Sequence, residues 1–110
     1  MMAATLVDRI TLRSVYRNST ETFVELIRPI EVELTREDDV NDDGSGEVAF
    51  FAFCREVNVC GVGPTVEEAL LDFGGDLLVT NTHYRHTPDE MLTDEALVVK
   101  RRLGEVVGAR

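Results

Sequence analysis

The densest group of oxygen ligands in this sequence lies in Asp39–Gly44, which reads Asp-Val-Asn-Asp-Asp-Gly. This segment matches the first half of a calcium-binding EF-hand loop, whose last position supplies a bidentate glutamate. Here the corresponding position is Phe50, and the residues on both sides of the segment read as strands rather than helices. The pattern favours a solvated hairpin loop, with weak calcium binding as the alternative.

The imidazoles and thiols form no complete metal site. His83 and His86 have a helical spacing that suits a shared metal, but Thr80–Thr82 before them is a poor helix interior. We therefore interpret this stretch as a polar connection between two helices. The spacing of Cys54 and Cys60 matches no zinc pattern. We predict no metal, no cofactor and no disulfide.

No nucleophile or phosphate-binding motif is complete. The sequence has no G-x-S-x-G, no H-E-x-x-H and no P-loop, and Gly61-Val62-Gly63 lacks the third glycine of a dinucleotide-binding loop. Among the 21 acidic residues, nothing singles out a catalytic carboxylate pair. We predict that the chain is not an enzyme and has no catalytic residue, and a small enzyme or metal-binding protein is the last alternative.

Charge gives a first indication of a partner. The 110 residues carry a formal charge of −10. The segment from Glu31 to Glu47 contains eight carboxylates and a single basic residue, Arg36. An acidic surface repels phosphate backbones and steers a basic partner by opposite charge. Lys100–Arg102 alone is thin support for DNA binding. The residues predicted to bind a basic partner are Glu31, Glu33, Glu37, Asp38, Asp39, Asp42 and Asp43.

Three strands and a helix are predicted in the middle of the chain. The segment 30–34 alternates apolar and polar residues, which is typical of a strand with one wet face. The nearly all-apolar run 48–54 fits a central strand, and residues 57–62 form a third short strand. At Thr65 the order Thr-Val-Glu-Glu is a capping box, which predicts a helix with an apolar stripe to Leu78.

The flanks of this unit carry weaker signals. Asn18–Thr20 predicts a turn, and Pro29 is expected to limit any continuous central strand through it. Gly74-Gly75 predicts either a bend in the helix or another backbone passing close by. Thr87–Glu90 is a second capping box and predicts the start of a C-terminal helix. No signal peptide or membrane span is apparent, so we expect a cytoplasmic protein.

The apolar run 48–54 also predicts self-association. Ala49, Phe51 and Phe53 point to the opposite face of the strand from their neighbours, and a single helix cannot cover both faces. The N-terminal strands, the last helix or another subunit must cover the second face. Because exposed apolar surface of this kind often marks an association site, we expect a homodimer or a higher oligomer through these three residues.

The segment before and into the first helix has a characteristic order of residues. Glu56 and Val57 lie in a turn between two strands, and Gly63–Leu70, which reads Gly-Pro-Thr-Val-Glu-Glu-Ala-Leu, opens the helix. An apolar strand, a turn, a short strand and then G-x-T-x-E-E-A-L resembles the signature of the HicB-like antitoxin domain. The resemblance covers about residues 29–80, with Arg55 in place of the usual proline of the turn.

The resemblance implies an α+β fold with a partial ribonuclease-H-like architecture. We expect a three- to four-stranded antiparallel sheet packed with one long helix, plus a C-terminal helix. Within a single domain, residues 29–80 would form the HicB-like core. Residues 1–28 would add an N-terminal strand extension, and residues 87–108 a C-terminal helical segment.

The resemblance also implies a function. Members of the family typically bind and mask HicA, a small basic toxin that cleaves mRNA. Many repress their own operon through a C-terminal DNA-binding motif, but residues 89–107 predict only one helix, so DNA binding is doubtful. The alternative is a stand-alone, self-associating scaffold domain without a toxin partner.

Overall fold

The computed structural model describes residues 3–40 and 46–109. One antiparallel sheet has its four strands in sequence order. Two α-helices follow the sheet, with a single 3-10 turn at Asp89–Met91 between them. This arrangement confirms the predicted α+β fold with one long and one C-terminal helix. The elements are β1 (Ala3–Arg17), β2 (Thr22–Val40), β3 (Gly46–Cys54), β4 (Val59–Gly63), α1 (Val66–His86) and α2 (Asp94–Val106).

The predicted turn at Asn18–Thr20 joins β1 and β2 into a long hairpin. In the structure the turn continues to Glu21, which has a left-handed φ of 52° and donates its backbone N–H to Asn18 O at 3.3 Å. The second turn, between β3 and β4, uses Asn58 at a φ of 54°, a conformation that asparagine tolerates well. The third strand was expected to include Val57, but Val57 lies in this turn with its side chain fully buried.

Strand β2 runs through Pro29, but its pairing is interrupted there, so Pro29 limits the central part of the strand as expected. In the pairing with β1, Leu12 lies opposite Ile30 and Ser14 lies opposite Glu25, so residues 26–29 of β2 bulge outward opposite a single residue of β1. On the other side, β3 pairs with β2 only from Glu33 onward. Pro29 therefore lies in a bulge with no pairing partner on either side, where its missing N–H costs no ladder hydrogen bond.

One hydrophobic core lies between the sheet and the helices. The inward residues of β2 are Ile30, Val32 and Leu34, and each is at most 4% exposed. They share a single buried cluster with residues of both helices. The predicted apolar stripe of α1 supplies its half of the core with Ala69, Phe73, Leu77 and Leu78. Among the described residues, no helix is both long enough and apolar enough to cross a membrane.

Glycines let α1 approach the sheet closely. A Cβ on Gly61 would lie 2.2 Å from Phe73 N, and a Cβ on Gly63 would lie 2.7 Å from Ala69 N. At Gly74 a Cβ would lie 3.1 Å from Val15 Cβ, with the Tyr16 backbone at 3.4 Å. At Gly74, the close passage of another backbone is therefore the correct one of the two predictions, whereas a Cβ on Gly75 would meet nothing within 4 Å.

Helix α1 is longer than expected, because the predicted polar connection at residues 80–86 is helical. Asn81 is fully buried, and its Nδ2 donates to Gly108 O at 2.8 Å. The Thr82 hydroxyl donates to Leu78 O at 3.0 Å, within the helix. Each of these side chains donates to a specific carbonyl, although Asn81 Oδ1 has no hydrogen-bond partner among the described residues, and packing overrides the low helix propensity of this stretch.

The predicted start of the C-terminal helix at Thr87 is also wrong. Thr87 instead ends α1, since its N–H donates to Tyr84 O at 3.2 Å and its hydroxyl donates to His83 O at 2.8 Å. Helix α2 begins at Asp94, and Thr93 is its N-cap, accepting from Ala96 N at 3.2 Å. The first predicted cap is confirmed, because the Thr65 hydroxyl accepts from Glu68 N at 3.1 Å.

Candidate partner-binding face

The sheet has a second face, which we call the open face because no described element covers it. Its residues alternate along each strand with the buried residues that face the helices. The β1–β2 hairpin extends the sheet sideways, and α2 packs into the same core as α1. The open face comprises Leu6, Arg9, Glu31, Glu33, Thr35, Glu37, Ala49, Phe51, Phe53, Cys60 and Val62.

Strand register brings the predicted acidic and apolar residues together on this face. Glu33 lies directly opposite Phe53, and Glu37 lies directly opposite Ala49. We call Glu31, Glu33 and Glu37 the acidic row, and Ala49, Phe51 and Phe53 the apolar row. Side chains directly opposite one another on antiparallel strands stand about 5 Å apart at Cβ. The two rows are therefore one continuous surface.

Apolar residues of the open face lie on β1, β3 and β4, with Thr35 of β2 between them. Phe51 lies opposite Thr35 on one side and Val62 on the other, and Thr35 in turn lies opposite Leu6. Val62 is 48% exposed and Leu6 is 44% exposed, while Phe51 and Phe53 are half-buried. An exposed apolar band of this kind, flanked by charge, is typical of an interaction surface.

Two arginines partly neutralise the acidic row. Arg9 Nε lies 3.9 Å from Glu31 Oε1, and Arg55 Nη2 lies 3.7 Å from Glu33 Oε1. The Arg9, Glu31 and Arg55 side chains are well exposed. Exposed ion pairs contribute about 0–1 kcal/mol, so a partner's cation can replace either arginine at little cost.

The other predicted acidic residues are Asp38, Asp39, Asp42 and Asp43. Asp38 belongs to the helix-facing side of β2, where its Oδ1 accepts from Arg36 Nε at 3.0 Å. The backbone of Asp39 pairs with Glu47 near the end of the strand, so β2 extends into the expected loop. Asp42 and Asp43 lie outside the described residues, and so does most of the Asp39–Gly44 motif.

The candidate metal ligands are not gathered into a site. No cluster of three or more histidine, cysteine, aspartate or glutamate side chains suited to a metal occurs within residues 3–40 and 46–109. His83 and His86 are exposed on the last turn of α1. Cys54 is buried and Cys60 is exposed on the open face, and both thiols are free.

The basic triplet of α2 is largely engaged in holding the fold. Lys100 Nζ donates to Thr87 O at 2.8 Å and to Asp89 Oδ1 at 2.6 Å. Arg102 Nη1 donates to Glu56 O at 3.2 Å. Both residues therefore tie α2 to neighbouring turns.

Glu56 is the centre of a charged cluster at the end of the sheet. Its carboxylate accepts a hydrogen bond from Arg28, whose guanidinium also lies 3.3 Å from Glu105 Oε2. The hydrogen bond from Arg28 lowers the pKa of Glu56, partial burial opposes this, and the charges of Arg28 and Arg102 add to the lowering. The cluster links β2, the β3–β4 turn and α2, so its role is structural.

Sequence reasoning missed five residues of the open face: Leu6, Arg9, Thr35, Cys60 and Val62. Their alternation with buried neighbours was a usable signal within each strand. Which of them lie beside Phe51 and Phe53 is decided by the pairing register of neighbouring strands, in which Phe53, for example, lies opposite Cys60.

Comparisons with known proteins give no match: no protein-family model, no curated protein and no solved structure is similar to this chain.

Proposed function

We propose that this chain is a non-enzymatic interaction module of the HicB-like antitoxin type, which binds and masks a small basic mRNA-cleaving toxin in the cytoplasm. The observation that carries the proposal is the adjacency of the acidic and apolar rows on the open face. Glu33 beside Phe53 and Glu37 beside Ala49 offer a partner both charge and apolar contact.

The physical argument begins with the apolar row. Protein interfaces have an apolar core depleted of charge and enriched in aromatic residues, with a polar rim. Phe51 and Phe53 are the aromatic side chains of the open face, and their partial exposure leaves area for a partner to bury. The acidic row lies along one side of that area, as a charged rim would.

Charge then determines which partners fit. A surface with Glu31, Glu33 and Glu37 in a chain of charge −10 attracts basic proteins and repels acidic ones. Arginine side chains of a partner can replace Arg9 and Arg55 on the same carboxylates. A basic, RNA-binding toxin presents such arginines or lysines, and a module seated on them would block its RNA surface.

Self-association is the second candidate function, and it uses the same surface. Exposed Leu6 and Val62 extend the apolar row into a band across the sheet, which a second copy could cover. A face-to-face dimer, however, brings two acidic rows together. Because both would occupy the open face, partner binding and self-association through this face are mutually exclusive.

The proposal predicts a small basic protein encoded beside this chain, and it is tested with that protein. The affinity is measured by surface plasmon resonance at several salt concentrations, together with protection of RNA from cleavage by that protein. We expect tight, salt-sensitive binding and full protection. Glu37→Lys should slow association, whereas Glu90→Lys, an exposed charge reversal in the 3-10 turn, should leave it unchanged. Equal kinetics for both variants, or no complex with the neighbouring protein, would refute the proposal.

A further inference from the structure

A cleft of about 670 Å³ lies between α1 and the β1–β2 turn, on the helix side of the sheet. Gly75, Leu78 and Val79 line the α1 side of the cleft, which we call its floor, and the other lining residues include Arg17, Thr20 and His83. Small-molecule sites are typically clefts of about 300–1,000 Å³ with an apolar floor and a few converging polar groups. The size and composition of this cleft fall in that class.

Gly75 is the first reason to treat the cleft as a site. A glycine inside a helix costs about 1 kcal/mol relative to alanine. Its neighbour Gly74 is explained by the close approach of β1, but a Cβ at Gly75 would meet nothing within 4 Å. Packing among the described residues therefore does not require this glycine, and its effect is to open the floor of the cleft.

The second reason is exposed apolar surface in the floor. Val79 is 70% exposed although it lies in the middle of α1, and the nearly buried Leu78 continues the apolar surface inward. An apolar ligand would remove this surface from water, a gain that scales with the area covered.

The third reason is the sign of the charges. In a chain of charge −10, the ionisable side chains lining this cleft are Arg17 and His83, with no carboxylate among the described lining residues. Two carboxylates of α1, those of Asp72 and Asp76, raise the pKa of Cys60 on β4 and therefore lie toward that strand. Asp72 and Asp76 thus lie away from the cleft, and its lining carries the permanent positive charge of Arg17.

We propose that this cleft binds a small monocarboxylate with a short aliphatic chain. The chain would lie along Gly75, Leu78 and Val79. The carboxylate would accept hydrogen bonds from the Arg17 guanidinium and the His83 imidazole. A single charge is favoured because the net charge of the protein repels polyanions. The site is distinct from the open face, so this proposal stands independently of the proposed function.

The test uses octanoate as the probe, with octanamide as its uncharged counterpart, followed by amide chemical-shift perturbation in the labelled protein. We expect saturable shifts at Gly75, Thr82 and His83 with octanoate, and at least about tenfold weaker binding of octanamide. Gly75→Leu should abolish binding, because the new side chain fills the floor and suits a helix. Gly104→Leu is the matched control, since Gly104 is a helical glycine with open space around it.

Arg17→Gln separates charge from shape and should weaken octanoate binding about tenfold while leaving octanamide unchanged. The proposal is overturned by an absence of saturable shifts at millimolar octanoate. It is equally overturned by shifts that map outside the cleft, or by undiminished binding in folded Gly75→Leu.

Discussion

Glu33 on β2 and Phe53 on β3 are direct cross-strand partners on the face of the sheet that no described element covers. A carboxylate and an aromatic ring thus stand side by side where the sequence alone indicated two separate sites. This pairing turns an acidic segment and an apolar strand into one surface, and it makes the two candidate functions compete.

Salt distinguishes these functions because they depend on opposite charge interactions. Face-to-face self-association opposes two acidic rows, so added salt, which screens charges over about 10 Å at 0.1 M, should strengthen it. Binding of a basic partner should weaken under the same change. Sedimentation velocity of the chain alone and of the complex, over a salt series, measures both trends. Self-association that weakens with salt would show that the dimer uses a different surface.

Gly61 is expected to be among the positions least tolerant of a side chain. In Gly61→Ala the new Cβ would lie 2.5 Å from Ala69 O as well as against the Phe73 backbone, which forces α1 away from β4. We expect a loss of about 3 kcal/mol or more in the free energy of unfolding. Gly104→Ala should instead gain about 0.5–1 kcal/mol. Urea denaturation followed by circular dichroism measures both, and a mild effect at Gly61 would contradict the close helix–strand packing.

The Glu56 cluster predicts a pH dependence of stability. Because the pKa of Glu56 in the folded chain lies below its ordinary 4.5, its ionised form stabilises the fold at neutral pH. This contribution is lost as the pH falls from about the ordinary value through the lowered one. Both partners are about one-third exposed, so we expect at most about 1 kcal/mol.

A double-mutant cycle isolates that contribution. Arg28→Gln and Glu56→Gln are measured singly and together by thermal unfolding at pH 7 and pH 3. We expect a coupling free energy at pH 7 that is smaller at pH 3. A coupling that stays constant between the two pH values would mean that the pair contributes through packing rather than charge.

Cys60 is expected to react slowly for an exposed thiol. Partial burial raises its pKa above the ordinary 9.0, and the charges of Asp76 and Asp72 raise it further. Since the thiolate is the reactive form, alkylation at pH 8 should be slower than that of a free cysteine peptide. Asp76→Asn should accelerate it, and Glu90→Gln should not. Equal rates in the native chain and the peptide would contradict this account.

The sequence predicted best those features that depend on neighbouring residues. The cap at Thr65 and the alternation of Ile30, Val32 and Leu34 are local signals, and the structure confirms both elements. The end of α1 depends on a distant partner, since Asn81 bonds Gly108, 27 positions along the chain. The residues around Thr80–Thr82 therefore could not predict that the helix continues through this stretch.

The candidate site was only partly predictable for the same reason. Side-chain types and spacing identified both rows, but the composition of the open face depends on register, and register depends on bulges such as the one opposite Arg13. Thr87 and Thr93 show a similar limit. Both are suitable caps, and only the hydrogen bonds of Thr87 within α1 decide between them.

The most direct test of the open face uses Cys60 as a native probe, because it lies beside Phe53 on that surface. Its alkylation rate is measured with and without a saturating amount of the small basic protein that the proposal predicts beside this chain. A cysteine introduced by Val79→Cys in a Cys60→Ser background, on the helix side, is the control. The account predicts at least about tenfold protection of Cys60, as expected when a residue enters a buried interface core, and an unchanged rate at position 79. An unprotected Cys60 in the saturated complex would contradict it.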